Sequence, residues 1–83
     1  MKLITIKDKK ADMYTAPELL PNLAVAERHL RHAISNESQI ARFANDFACY
    51  CIGDYNERTA KITPCEPILV IELAEIFKKE ADK

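Results

Sequence analysis

The stretch DFACYCIGDYNERTAKI, residues 46–62, decides the fold of this chain. Residues 47–55 alternate between two largely apolar faces, which is typical of a central β-strand. The polar residues 56–59 predict a turn, and residues 60–63 predict the returning strand. Pro64 and Pro67 should then block regular pairing, because proline has no N–H to donate to a neighbouring strand. The stretch therefore predicts an antiparallel hairpin whose first strand is central in the sheet.

Shorter elements are predicted around this hairpin. Residues 3–7, LITIK, are rich in β-branched side chains and predict a strand, and residues 8–12 predict a charged turn before a brief strand at 13–14. Thr15 and Glu18 have the spacing of a capping box, but Pro21 limits this segment to a turn or a single helical turn. Residues 39–43 fit one further helical turn, and residues 68–72 predict a last strand.

One main helix is predicted from an N-cap at Asn22 to about Ser35. Apolar residues recur there at three- and four-residue spacing and form a single stripe of Leu23, Ala26, Leu30, Ala33 and Ile34. Asn36 should end the helix, because asparagine tolerates a left-handed conformation. Residues 73–77 again have helical periodicity, which predicts a short C-terminal helix, with a longer strand as the alternative.

Together these elements predict a single α+β domain over residues 1–83. It consists of a small antiparallel sheet of three to four strands, with the main helix packed on one face. The predicted core is Ile4, Ile6, Leu23, Ala26, Leu30, Ile34, Phe47, Cys49, Tyr50, Ile52, Ile62, Val70 and Phe77. Because one helix covers only one face, the apolar excess on the other predicts a partner, and a homodimer is the simplest.

Composition excludes several classes of protein. Twelve Lys and Arg against thirteen Asp and Glu give a net charge of −1, which argues against coating nucleic acid through bulk charge. The longest aliphatic run, residues 68–71, is far too short to span a membrane, and the N-terminus lacks the apolar segment of a signal peptide. Three cysteines, an odd number, fit a reduced intracellular chain better than a disulfide scaffold.

The histidines and cysteines offer a weak metal-binding hypothesis. Neither the HxxH nor the CxC spacing matches the paired ligands of zinc fingers or ribbons, and both histidines fall toward the polar side of the helix. The alternative is solvent-facing histidines and cysteines that serve as small hydrophobic residues. We predict no metal and no cofactor, and metal binding stays an open question for His29, His32, Cys49, Cys51 and Cys65.

Catalytic patterns are not recognisable in the sequence. A nucleophilic thiol needs a lowered pKa from a helix N-terminus or a neighbouring cation, whereas Cys49 and Cys51 are predicted in mid-strand. With one glycine, the chain has no glycine-rich phosphate-binding loop. We therefore predict that the protein is not an enzyme.

Basic and aromatic residues raise the alternative of nucleic-acid binding. Proteins that bind single strands combine cations with aromatic side chains on which bases stack. Tyr14, Tyr50 and Tyr55 provide the aromatics, although tyrosines half-buried in a core and a solvated basic rim are the alternative interpretation. The candidate nucleic-acid-binding cations are Lys2, Lys7, Lys9, Lys10, Arg28 and Arg31.

Several segments resemble the small non-structural protein of gokushoviruses, single-stranded DNA phages of the microvirus family. They are IKDKKADMY, AERHLRHAISNES and DFACYCIGDYNERTAKI with a proline-containing tail, and the resemblance spans positions 4 to 70. Two departures stand out. Thr59-Ala60 replaces a turn that usually carries a glycine, and Cys49 and Cys51 replace a larger aliphatic and a polar residue. The matching positions are Asn22, Asp46, Phe47, Cys49, Tyr50, Ile52, Gly53, Asp54 and Tyr55.

This resemblance implies a non-catalytic accessory protein of phage DNA replication in the host cytoplasm. The implied role is in single-strand synthesis through protein–protein interaction, with a phage or host replication protein as partner and no membrane. No catalytic residues carry over, because none is agreed for the family. The alternative function is sequence-independent binding of single-stranded DNA.

Overall fold

The structure is a computed structural model, and it describes residues 1–35 and 43–76. Its largest element is an antiparallel sheet in the order β2-β1-β4-β5, with a further strand, β3, also paired to β1. The predicted hairpin is formed by β4, which lies inside the sheet, and β5, which lies at its end. The five strands are β1 (Lys2–Asp8), β2 (Met13–Tyr14), β3 (Glu18–Leu20), β4 (Phe47–Asn56) and β5 (Lys61–Glu72).

In residues 1–35 and 43–76, helical structure consists of one long helix and two short ones. Helix α1 (Leu23–Ser35) begins as predicted, with the Asn22 side-chain Oδ1 accepting a hydrogen bond from the backbone N–H of Val25 at 2.9 Å. A 3₁₀ turn (Ala44–Asp46) precedes β4, and residues 73–76 are helical. Within the described residues no helix is long and apolar enough to cross a membrane. The predicted helix end at Asn36 lies outside the described residues, as does nearly all of the predicted turn at 39–43.

The predicted α+β class is wrong, because the described chain is mostly β, with five strands instead of three or four. Residues 18–20, which were expected in a turn, pair with β1 as β3. Pro64 and Pro67 do not end the hairpin but are accommodated inside one long strand. The register shifts there, since Cys51 lies opposite Ile68 whereas Gly53 lies opposite Pro64.

The predicted packing of the main helix across one sheet face is also wrong. The main contacts of α1 are with β3 and β5, not with β1 and β4, the two interior strands of the sheet. The predicted short C-terminal helix is present as far as residue 76, where the description ends.

Only some of the predicted core residues are buried, and the core also contains residues that were not predicted. Leu23 and Ile62 are wrong predictions, because they are 41% and 57% exposed. Phe77 and the side chain of Ile34 lie outside the description. Predicted residues found partly buried are Ile6, Phe47, Tyr50, Ile52 and Val70. The buried cluster is Ile4, Ala26, Leu30, Cys49, Cys51, Leu73 and Ile76.

Two hairpin turns share one geometry. In the β1–β2 turn, Asp8 Oδ1 accepts hydrogen bonds from the backbone N–H groups two and three residues later, both at 3.1 Å. In the β4–β5 turn, Asn56 Oδ1 accepts the equivalent bonds at 2.9 and 3.2 Å. The fourth residue after each acceptor is left-handed, with φ 56° at Asp12 and φ 62° at Ala60. Each turn is therefore closed by an Asx side chain followed by a residue of positive φ.

Candidate interaction surfaces

Strand register separates the side chains of the sheet into two faces. Residues directly opposite each other in antiparallel strands project from the same face. One face carries the core residues Ile4 and Cys51, which are register partners, together with Ile6 and Cys49. The opposite face, which we call the tyrosine face, is formed by Thr5, Lys7, Tyr14, Tyr50 and Leu69.

The tyrosine face presents aromatic and aliphatic surface to solvent. The rings of Tyr14 and Tyr50 meet edge to face, with centroids 6.0 Å apart and an interplanar angle of 75°. Lys7 Nζ lies 5.5 Å from the Tyr14 ring centroid, within cation–π range. Tyr14 and Leu69 are 46% and 50% exposed. Neighbouring exposed apolar side chains of this kind are typical of a contact surface.

The buried hydroxyl of Thr5 helps to fix the position of β2 next to β1. Thr5 is 2% exposed, and its hydroxyl donates to the backbone carbonyl of Thr15 at 2.6 Å. The Thr15 hydroxyl oxygen in turn accepts from the backbone N–H of Ile6 at 3.1 Å. These bonds join the segment after β2 to β1, so that Tyr14 is held next to Tyr50.

The six predicted nucleic-acid-binding cations do not form one site. Lys10 and Arg28 have no ion pair within residues 1–35 and 43–76, while the other four each lie against a carboxylate. The pairs are Lys2 with Asp54 at 2.6 Å, Lys7 with Asp12 at 3.3 Å, Lys9 with Glu72 at 2.9 Å and Arg31 with Glu27 at 2.9 Å.

Two of these carboxylates, Asp54 and Asp12, favour the charged form of the lysines beside them. The hydrogen bond from Lys2 to Asp54, with their charge attraction, raises the pKa of the Lys2 ammonium. Asp12 raises the pKa of Lys7 in the same way, and Tyr14 adds to the effect. The pairs lie at the surface, partly or largely exposed, so each contributes little to stability. Their carboxylates nevertheless compensate the positive charge that would attract a phosphate group.

The cysteines and histidines of the metal hypothesis are not assembled. In the part of the chain that the structure describes, no three His, Cys, Asp or Glu side chains are placed to hold a metal ion together. His29 Nε2 lies 3.2 Å from a carboxylate oxygen of Glu18. Cys49 is fully buried, and burial, together with the charge of Cys51, raises its pKa to about 11. Partial desolvation and the nearby Cys51 and Asp54 raise the pKa of the exposed Cys65 thiol, whose Sγ lies 3.8 Å from the Cys51 carbonyl oxygen.

A second surface was missed by the sequence analysis. An open depression of about 360 Å³, which we call the helix groove, lies between the end of β3 and α1. Its helical residues recur at i, i+3, i+4 and i+7, so they form one side of α1 distinct from the buried Ala26 and Leu30. This spacing was available in the sequence, but His29 and His32 were considered only as metal ligands and Arg28 only as a nucleic-acid-binding cation. The groove is lined by Leu20, Val25, Arg28, His29 and His32.

The fold and these surfaces define a small, mostly β, single-sheet protein with an exposed aromatic face. The chain matches the family model described as phage ORF5 protein over residues 1–76, and it therefore belongs to that bacteriophage family. No curated protein and no solved structure matches the chain significantly.

Proposed function

We propose that this protein is a gokushovirus non-structural accessory protein that supports phage DNA replication, at single-strand synthesis, in the host cytoplasm. It acts without catalysis, by binding protein partners. Membership of the phage ORF5 family over residues 1–76 supports a phage role, and the sequence resemblance at positions 4 to 70 supports the gokushovirus assignment. The structural observation that carries the binding role is the exposed tyrosine face.

The tyrosine face suits a protein partner because its accessible side chains are mainly apolar. Completing the burial of a half-exposed Tyr14 or Leu69 contributes about 1 kcal/mol each. The charged group beside them, Lys7, is already neutralised by Asp12. A second copy of the chain is the simplest partner, because a two-fold interface uses the same patch twice. We propose a homodimer formed through this face, with a phage or host replication protein as the other candidate occupant.

The test places a charge on the face and the same charge elsewhere on the same strand. Leu69→Glu alters the tyrosine face, and Ile62→Glu is the matched control, since Ile62 is similarly exposed on β5 but lies seven residues from Leu69, opposite Tyr55 instead of Tyr50. Sedimentation equilibrium measures self-association, and pull-down from infected host cells measures capture of a replication protein. We expect the wild type and Ile62→Glu to associate and Leu69→Glu to lose association. A monomeric wild type that captures nothing, or equal effects of both substitutions, would contradict the proposal.

The alternative function is sequence-independent binding of single-stranded DNA. The observation that favours it is the position of Lys7 over Tyr14 and beside Tyr50, which combines a cation with stacking surface on a sheet. Binding to a fluorescent oligonucleotide should then fall steeply with salt, and the double substitution Lys9→Glu, Lys10→Glu should weaken it. A protein that acts only through protein partners should show no binding even at low salt.

A further inference from the structure

The helix groove brings basic side chains together over an apolar floor. Val25, Arg28, His29 and His32 follow one another along the same side of α1, and Leu20 at the end of β3 closes the other wall. Over these helical positions the axis advances about 10 Å. Arg28, His29 and His32 are exposed, whereas Leu20 and Val25 are half-buried. The groove thus offers hydrogen-bond donors at its rim and apolar surface below.

Among the described residues that line the groove, Arg28 carries the one permanent charge and none is a carboxylate. Glu18 of β3 faces it, but it lies against His29 Nε2 at 3.2 Å, and Glu27 on the helix lies against Arg31. Arg28 has no ion pair in the described part of the chain, so its guanidinium, with five N–H donors, is available to an anion.

An anion with a flat, apolar portion fits both parts of this surface. Arginine binds phosphate oxygens through its planar fork of donors. Imidazole rings and apolar side chains accept the faces of unpaired bases, which only a single strand exposes. A duplex would offer phosphates to Arg28 but would leave Leu20 and Val25 without a ligand.

We infer that the helix groove is a binding site for single-stranded nucleic acid, with Arg28 on a phosphate and His29, His32 and Leu20 against a base. The inference rests on the single-strand alternative proposed above and moves its site from the sheet to α1. It leaves the tyrosine face free for a protein partner, so the two surfaces can be tested separately.

The experiment measures anisotropy of a fluorescent oligothymidylate at low salt with four full-length variants. Arg28→Glu reverses the charge in the groove, and Arg28→Lys keeps the charge while removing the planar fork. Arg58→Glu, in the exposed β4–β5 turn, makes the same charge change outside the groove. Lys7→Glu reverses the charge on the tyrosine face. Circular dichroism confirms that each variant is folded.

Arg28→Glu should weaken binding roughly tenfold and reduce by about one the number of ions released on binding, as read from the dependence of affinity on salt concentration. Arg58→Glu should change the affinity less than about twofold. Arg28→Lys should retain part of the affinity, and an unlabelled duplex should compete poorly. Equal losses of affinity for Arg28→Glu and Arg58→Glu, or equal competition by duplex, would refute the assignment of the helix groove as the binding site. Loss with Lys7→Glu alone would return the single-strand site to the tyrosine face. No binding by the wild type would end both single-strand proposals and leave the protein-partner proposal standing.

Discussion

Ala60 occupies a backbone conformation that its side chain disfavours, and replacing it with glycine should stabilise the fold. Its φ of 62° is left-handed, where the Cβ of an L-residue crowds the neighbouring carbonyl oxygen. Its backbone N–H donates to the Asn56 carbonyl at 2.7 Å, a bond that glycine would keep. Ala60 is exposed, so removing its methyl group sacrifices little packing.

The magnitude follows from two opposing terms. A left-handed L-residue costs about 1–2 kcal/mol, and glycine costs about 0.5–1 kcal/mol through the greater freedom of the unfolded chain. Ala60→Gly should therefore raise the free energy of unfolding by close to 1 kcal/mol. For a chain of this size the midpoint of thermal unfolding should rise by about 4–8 °C.

The assay is urea and thermal unfolding followed by circular dichroism, with Asp12→Gly as the matched control. Asp12 has nearly the same φ, 56°, but aspartate tolerates this region and its carboxylate pairs with Lys7. We expect no comparable gain from Asp12→Gly. An unchanged or lower midpoint for Ala60→Gly would refute the assignment of strain, and equal gains at both positions would show that side-chain type is irrelevant in these turns.

Four further predictions concern stability and thiol chemistry. Gly53→Ala should lower the free energy of unfolding by about 1–3 kcal/mol in urea titration, because the new Cβ would lie 2.7 Å from the Thr63 carbonyl oxygen. Asn22→Ala should cost about 1 kcal/mol by removing the N-cap of α1, measured by the same titration; no change would contradict the cap. Exposed Cys65 should react with a thiol reagent in the folded protein while Cys49 does not, as mass spectrometry of the labelled peptides would show. Because the pKa of Cys49 is about 11 in the folded state against 9.0 ordinarily, unfolding exposes a stronger acid, and stability should fall as pH rises from 9 to 11.

Local sequence patterns were sufficient to predict those elements that are determined by a few neighbouring residues. Asn22 supplied the cap of α1, and the polar run after Tyr55 supplied the hairpin turn. Ala26 and Leu30 were correctly placed in the core because their helical spacing reflects burial directly.

Features that depend on distant pairing were not predictable in this way. Glu18 has the spacing of a helix cap, but pairing with Ile4 of β1 overrides that local preference. Ile62 alternates like a core residue, yet in the structure it is exposed opposite Tyr55. The carboxylates beside Lys2 and Lys9 come from β4 and β5, more than fifty residues away, so neutralisation of these lysines was not visible in their local sequence.

The prolines of β5 have a consequence for how the protein behaves at high concentration. Among the described strands, β5 lies at the end of the sheet order, and no strand pairs with its outer side. A long, regular strand in that position would template addition of further chains and lead to fibres. Pro64 and Pro67 remove two backbone donors, and the register shifts between Pro64 and Ile68. We therefore expect the outer edge of β5 to resist pairing with further copies of the chain.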